Sequence, residues 1–359
     1  MEDWKNDRII INGCLINKHN LNEFHQSNDS AKLWKLPVSL FLAEWFNDAD
    51  TITVHTSGST GKPKAIQLTK AAMRNSAQMT NDFFGLTATT TALLCLPASY
   101  IAGKMMLVRA IVGGFHLITV EPSANPFTDL NQRIDFTAIT PYQLQNSLEE
   151  IKKIETKKLQ IGKIIVGGAK LNSETETALQ SLTTIFYETY GMTETCSHIA
   201  LRAVNGPEKS DYFQILNGVS IRTNEHNCLC ITAPHLLPHE IATTDMVEIH
   251  NQTAFKWLGR LDNVINSGGI KINPEAVEQK LAKHIVQPFF ISSVPDEQLG
   301  NKVILVLESA PLSPQAEADL KTVLDTTLEK YESPKTITCI PQFLYSESNK
   351  LLKVETLKQ

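Results

Sequence analysis

Short β-branched or apolar runs alternate with segments of helix length across the first half of the chain, and this alternation constrains the fold more than any other feature. Residues 51–55, 92–96, 116–120, 136–140, 163–166 and 184–187 read as strands, and residues 37–46 and the stretch from Thr69, a natural N-cap, to Phe84 read as helices. Strands joined through helix-length crossovers pair in parallel, so the pattern predicts βαβ units on a largely parallel sheet. Residues 9–11 suggest one more strand. From 199 to 260 the texture changes to short strand-like pieces such as 228–232 and 247–250, the mark of a small β-rich subdomain. After Gly259-Arg260-Leu261-Asp262 a new unit begins, with helices over 274–283 and 314–329 and a strand over 303–308. The fold expected is α/β: a large N-terminal domain, 1–261, with mainly parallel sheets plus the β-rich subdomain, and a small C-terminal α+β domain, 262–359.

The charge balance excludes some partners. With 33 basic and 38 acidic residues the net charge is −5, and no basic cluster is dense enough for nucleic acid or an anionic lipid surface. The 6 cysteines are scattered, and the close pair Cys228-x-Cys230 lacks the C-x-x-C spacing of zinc or redox sites, so reduced thiols are expected. The first residues are charged, with no apolar signal core, and the most apolar stretch, 93–120, is interrupted by Pro97, Lys104, Arg109 and His116. No membrane insertion is expected, and the location expected is the cytoplasm.

Four segments carry chemistry. Thr56-Ser57-Gly58-Ser59-Thr60-Gly61-Lys62-Pro63-Lys64, entered from a strand, offers turning backbone N–H groups, hydroxyls and two lysines, a set suited to a polyphosphate. It is not a Walker A loop, because two residues rather than four separate Gly58 from Gly61 and Pro63 follows Lys62. A polar hairpin loop without function has the same composition. Tyr187 through Thr195 follows a strand and carries Glu194, a carboxylate able to hold Mg2+ against phosphates. Gly259 through Asn263, with Ser267-Gly268-Gly269 beyond it, has the look of a hinge and a mobile loop, or of a plain linker. Ser346 through Lys350 puts a lysine on a polar turn, which alone is an ordinary surface feature.

Taken in order and spacing, these segments resemble the adenylate-forming superfamily of acyl-CoA synthetases, carrier-loading adenylation domains and luciferases, over about residues 50 to 359. Within it, Leu96 through Gly103 with Arg109, and Gly191 through His198, are most similar to the o-succinylbenzoate–CoA ligases of menaquinone biosynthesis. The resemblance implies that Thr56, Ser57, Gly58, Ser59, Thr60, Gly61 and Lys64 wrap the ATP phosphates. It puts Gly168, Ala169, Lys170 and Tyr190 beside the adenine with Gly191, Thr193 at the α-phosphate, and Glu194 on Mg2+. Asp245 would hold the ribose with Arg260 nearby, Asp262 would be the hinge of a mobile C-terminal lid, and Gly268 and Gly269 would line the path of CoA. Lys350 matches the lysine that reaches the α-phosphate and the attacking carboxylate. Tyr100, Lys104, Arg109, Ser197 and His198 would line the acid pocket. An o-succinylbenzoate carries two carboxylates, so a cation should meet the one that does not react; Lys104 and Arg109 lean to different faces of one helix, and Arg109 is the one expected to point inward.

Several positions depart from the family pattern. The phosphate loop comes early, which implies a shortened N-terminal region; Ala65 stands where a glycine is common; Asp245 lacks flanking glycines; and Tyr100 replaces a common histidine. The implied partners are ATP, a carboxylic acid and CoA, and a homodimer is left open. An aryl- or fatty-acid–CoA ligase, an adenylation module loading a carrier protein, and a nucleotide-sensing relic remain as alternatives.

Overall fold

In the computed structural model, which describes residues 7–27, 33–55, 64–157, 160–345 and 351–359, the alternating runs do form parallel strands. The chain divides into two compact units, the first comprising Met1–Leu171, Thr175–Ser220 and Thr232–Glu240, the second Asn172–Glu174, Ile221–Ile231 and Ile241–Gln359.

The first unit contains, in chain order, β1 (Arg8–Ile11), β2 (Cys14–Asn17), α1 (Leu21–Ser27), α2 (Leu36–Phe46), β3 (Thr51–His55), β4 (Ala65–Thr69), α3 (Lys70–Phe84), β5 (Thr91–Leu94), α4 (Ile101–Gly113), β6 (His116–Thr119), β7 (Ile134–Ile139), α5 (Pro141–Thr156), β8 (Ile161–Val166), α6 (Ser173–Leu179), β9 (Ile185–Gly191), β10 (His198–Ala203) and β11 (Phe213–Ile215). The sheet runs β2-β1-β6-β5-β7-β8-β9-β10-β11. Every pairing from β1 through β9 in that order is parallel, and the outer pairs β1–β2, β9–β10 and β10–β11 are antiparallel. One run behaves otherwise. β3 pairs antiparallel with β4, which the sequence pattern did not suggest, in register from Thr51↔Thr69 to His55↔Ala65. The nine residues between them are too few for a parallel crossover, so a hairpin is the connection open to them.

The helices begin where the sequence offers caps. The Thr69 side chain accepts the Ala72 N–H at 3.1 Å, and Thr140 with Gln143 forms a reciprocal capping box at α5 with Pro141 in its first turn. Between sheet and helices the core gathers Leu93, Phe127, Ile134, Ile139, Leu144, Ile164, Val166 and Phe186, all essentially closed to solvent. Each such side chain contributes about 1.5–3 kcal/mol of burial. The entry to α4 is tight: a Cβ at Gly103 would stand 2.3 Å from the Pro97 carbonyl oxygen, so only glycine lets α4 close on the Leu96–Tyr100 turn.

The second unit holds β12 (Ser220–Thr223), β13 (Cys228–Thr232), β14 (Ile241–Asn251), β15 (Ala254–Arg260), β16 (Ile265–Ser267), β17 (Ile270–Ile272), α7 (Pro274–Leu281), β18 (Phe289–Asp296), β19 (Gly300–Glu308), α8 (Pro314–Thr327), β20 (Thr336–Ile340) and α9 (Lys353–Thr356), with β12 and β13 each running one residue past its edge and the first two residues of α6, Ser173 and Glu174, counted in it. β13, β14 and β15 pair antiparallel in turn. β18–β19 is antiparallel and β19–β20 parallel, with α8 as the crossover. Asn273 and Ser313 cap α7 and α8, each ahead of a proline. Val277, Leu281, Ile291, Val303, Leu305 and Leu324 fill one face of this small sheet, and Phe290, Ile304, Val306, Ile340 and Phe343 the other. Among the described residues no helix is long and apolar enough to cross a membrane.

Candidate active site

Ligands of open α/β sheets sit beyond the carboxyl ends of the parallel strands, and several expected residues gather there in the first unit. Gly168, Ala169 and Lys170 follow β8 and are exposed, and Tyr190 and Gly191 close β9. The segment after β8 is pinned by Glu188, whose buried carboxylate accepts the Leu171 N–H at 3.0 Å and two N–H groups of Arg202 at 2.9 and 2.7 Å. Arg202 also bonds Glu176, so this buried guanidinium lies between two carboxylates.

After β9 the chain turns through a 3-10 segment, Thr193–Thr195, and doubles back as β10. A Cβ at Gly191 would stand 2.4 Å from the Ser197 carbonyl oxygen, which explains the glycine of the Tyr-Gly pair. Cys196 takes φ 63°, a conformation costly for a side-chain-bearing residue, and is fully buried, with its thiol pushed up to about 12 by that burial. Glu194 is exposed on the 3-10 turn, an open hard-oxygen ligand of the kind Mg2+ takes alongside phosphates. Among the described residues no cluster of three or more acidic, histidine or cysteine side chains could hold a metal ion.

The reversal through Cys196 places Ser197 and His198 against α3 and α4. Arg109 of α4 is 2% exposed, and its Nη2 donates to Ser197 Oγ at 2.6 Å. Its Nη1 meets Met106 Sδ at 3.5 Å and its Nε has no partner. No carboxylate among the described residues pairs with it. Burial pushes its pKa down to about 9, which still leaves it charged at neutral pH. His198 is 5% exposed; its Nδ1 lies 3.3 Å from Ser197 Oγ and its Nε2 3.1 Å from Thr80 Oγ1. Burial first, and then the Arg109 charge, hold its pKa well below the ordinary histidine value, so it is neutral. Lys104 is not brought to this group. It turns to α2, 3.5 Å from Glu44 and 4.9 Å over the Phe41 ring. Tyr100 sits at the N-terminus of α4, 37% exposed.

In the second unit, Asp245 of β14 lies opposite Arg260 of β15. Asp245 accepts Trp257 Nε1–H at 3.0 Å, and Arg260 forks onto Asp262 at 2.9 and 2.7 Å while donating to Thr244 Oγ1 at 2.9 Å. That fork holds the Asp262 carboxyl below its ordinary value. Gly268 and Gly269, at φ 60° and 85°, form the two-residue turn of the β16–β17 hairpin. Thr56, Ser57, Gly58, Ser59, Thr60 and Gly61 lie outside the described residues, as does Lys350; Lys64 is exposed at the start of β4. Ala65 has no positive φ, so that substitution leaves the strand entry unstrained.

Thr80, Asn81, Glu188 and Arg202 were not among the residues expected from the sequence. Asn81 donates to the Arg109 carbonyl at 3.0 Å. Their signal was present but faint: Thr80 continues the stripe of Met73, Ala77 and Phe84, a polar residue on a face that is otherwise apolar.

The AMP-binding enzyme family matches residues 15–223, more than half of the chain. The chain belongs to this family of AMP-binding enzymes. Among curated relatives in it, a 2-succinylbenzoate–CoA ligase of Staphylococcus aureus (strain MRSA252) is 29% identical over 96% of this chain and 74% of its own length. A probable 2-succinylbenzoate–CoA ligase of Mycobacterium tuberculosis (strain ATCC 25618 / H37Rv) is 26% identical over 83% of this chain and 81% of its own. Among solved structures, an acyl-CoA synthetase (AMP-forming)/AMP-acid ligase II-like protein from Dyadobacter fermentans is 37% identical, with TM-score 0.62, covering 92% of this chain and 95% of that one. The o-succinylbenzoate CoA synthetase of Bacillus subtilis in complex with its acyl-adenylate intermediate shares the fold at TM-score 0.71 and 23% identity, covering 86% of this chain and 68% of that one. The adenylate-forming architecture expected from the motifs is therefore the architecture of this AMP-binding family member.

Proposed function

We propose that this chain is an ATP-dependent acid–CoA ligase whose acid is 2-succinylbenzoate, acting in menaquinone biosynthesis. The observation that carries the acid is Arg109. A buried guanidinium without a carboxylate partner costs several kcal/mol, and an acid whose second carboxylate enters as its counter-ion offsets that cost. An aryl or fatty acid brings no second anion and gives Arg109 no use. The names of the curated relatives agree with this reading.

In the first half-reaction an oxygen of the reacting carboxylate attacks the α-phosphorus of ATP, and the bond to pyrophosphate breaks. Lys350 and the 56–64 loop offset the charge that gathers there. Thr193 holds the α-phosphate, Tyr190 with Gly168, Ala169 and Lys170 flanks the adenine, and Asp245 with Arg260 takes the ribose. Glu194 holds Mg2+, which when bound offsets phosphate charge. In the second half-reaction the CoA thiolate attacks the acyl carbon and AMP leaves. A lid, residues 262–359, turning at Asp262 would clear Lys350 and bring Gly268 and Gly269 to the thiol path.

The test is mass-spectrometric detection of the CoA thioester from ATP, Mg2+, CoA and a panel of 2-succinylbenzoate, benzoate and octanoate. Selective 2-succinylbenzoyl-CoA, absent with Lys350→Ala, is the expected result. Octanoyl-CoA or benzoyl-CoA in preference would overturn the choice of acid and keep the chemistry.

A further inference from the structure

A hydrogen-bond chain runs from the Arg109 guanidinium into α3, and its proton order is set from the far end. The Ser76 carbonyl can only accept, so the Thr80 hydroxyl, 3.1 Å away, donates to it. Thr80 has one hydroxyl proton. Toward His198 its oxygen therefore accepts, and the 3.1 Å contact puts the imidazole proton on Nε2. The neutral ring then has a bare Nδ1, which accepts from the Ser197 hydroxyl at 3.3 Å. With its proton committed, Ser197 Oγ turns lone pairs to Arg109 Nη2 at 2.6 Å. A guanidinium cannot accept, so the order cannot run the other way.

We infer that Thr80 is a positioning residue for acid recognition: it fixes the Nε2–H tautomer of His198, and through Ser197 that tautomer holds the Arg109 guanidinium in place for the non-reacting carboxylate. This rests on the reading of Arg109 given above. Without the Thr80 oxygen, the imidazole proton has no acceptor at Nε2 and moves to Nδ1. Ser197 Oγ must then take both the Nδ1–H and the Arg109 Nη2–H on its two lone pairs while its own proton loses its acceptor in the chain, so the hydroxyl re-orients and the guanidinium no longer has the oxygen to itself. Among the described residues the groups facing His198 are Arg109 from α4, Thr80 from α3 and Ser197 beside it, and Arg109 is the charged one among them.

Two measurements test the inference. In wild type, 15N shifts of the ring nitrogens, with His198 assigned by its loss in His198→Gln, should report the Nε2–H tautomer at neutral pH; an Nδ1–H tautomer or an imidazolium overturns the inference whatever the activity. In pyrophosphate-release assays, Thr80→Val should raise KM for 2-succinylbenzoate about tenfold, the worth of one hydrogen bond. It should leave kcat and the KM for ATP in place, and Thr80→Ser should restore KM. Equal KM values in wild type and Thr80→Val overturn the positioning role alone, since wild-type turnover then still supports the ligase. No wild-type turnover of 2-succinylbenzoate, with the Nε2–H tautomer present, overturns the proposed substrate and with it any role of Thr80 in recognising that acid.

Discussion

Replacing the Arg109 head group while keeping its stem separates stability from function at the scale of one residue. Arg109→Met removes a buried charge that no carboxylate among the described residues balances. The melting temperature should stay level or rise, because a well-packed apolar group in place of a buried ion is often neutral or stabilising. Activity on 2-succinylbenzoate should fall by about 100-fold, the worth of losing roughly 3 kcal/mol of charge-assisted bonding. A fall of several degrees in melting temperature would instead make the arginine a structural member. His198 gives the pH dependence. Its folded pKa lies well below the unfolded value of about 6.5, so the unfolded chain takes a proton that the folded one refuses. The stability it contributes is complete above about pH 6.5 and falls as pH drops below it, by up to about 1.4 kcal/mol per unit. Denaturant titrations between pH 5 and 7 should show a shallower loss in His198→Gln than in wild type; equal slopes would mean that His198 protonates in the folded state. At this scale the sequence carried Arg109, Ser197 and His198 because they stand in short motifs. It did not carry Thr80 or Glu188, whose roles exist only once distant elements meet, or the turning of Lys104 to Glu44, which depends on where α2 packs.

At the scale of elements, one glycine and one threonine set how the helices beside the site begin. Gly103→Ala would push a methyl to within 2.3 Å of the Pro97 carbonyl, backbone that cannot swing aside as a side chain would. We expect a loss of about 3 kcal/mol or more in stability, read by urea unfolding, together with a displaced Leu96–Tyr100 turn; a change under 1 kcal/mol would mean that the α4 entry is soft. Thr69→Ala removes the cap on the Ala72 N–H and should cost about 1 kcal/mol by the same assay. The strand and helix order was legible because periodicity and caps are local: the parallel order of β6, β5, β7, β8 and β9 follows from helix-length crossovers. β4 was missed because Ala65–Thr69 has only Ile66 and Leu68 as large apolar residues and runs straight into the α3 N-cap at Thr69, and its pairing with β3 is fixed by the short connection rather than by its own composition.

At the scale of the whole molecule, contacts put residues 221–231 and everything from Ile241 onward in the second unit, whereas the composition change was read at Asp262. The two need not coincide. A contact boundary follows where side chains pack, while a hinge follows where backbone can turn, and Asp262 is held in the described geometry by a bidentate fork from Arg260. The proposed two-step chemistry asks more of Lys350 in one half than in the other. Lys350→Ala should abolish formation of the acyl-adenylate yet leave thioester formation from supplied 2-succinylbenzoyl-adenylate and CoA; loss of both would place the lysine in a role common to the two steps. The central claim, that a family member of this kind activates a diacid through one buried arginine, is tested most directly by the ratio of kcat/KM for 2-succinylbenzoate to that for benzoate, measured by pyrophosphate release in wild type and Arg109→Met. The account predicts a ratio well above one that collapses toward one in the variant; a ratio unchanged by the substitution would contradict it.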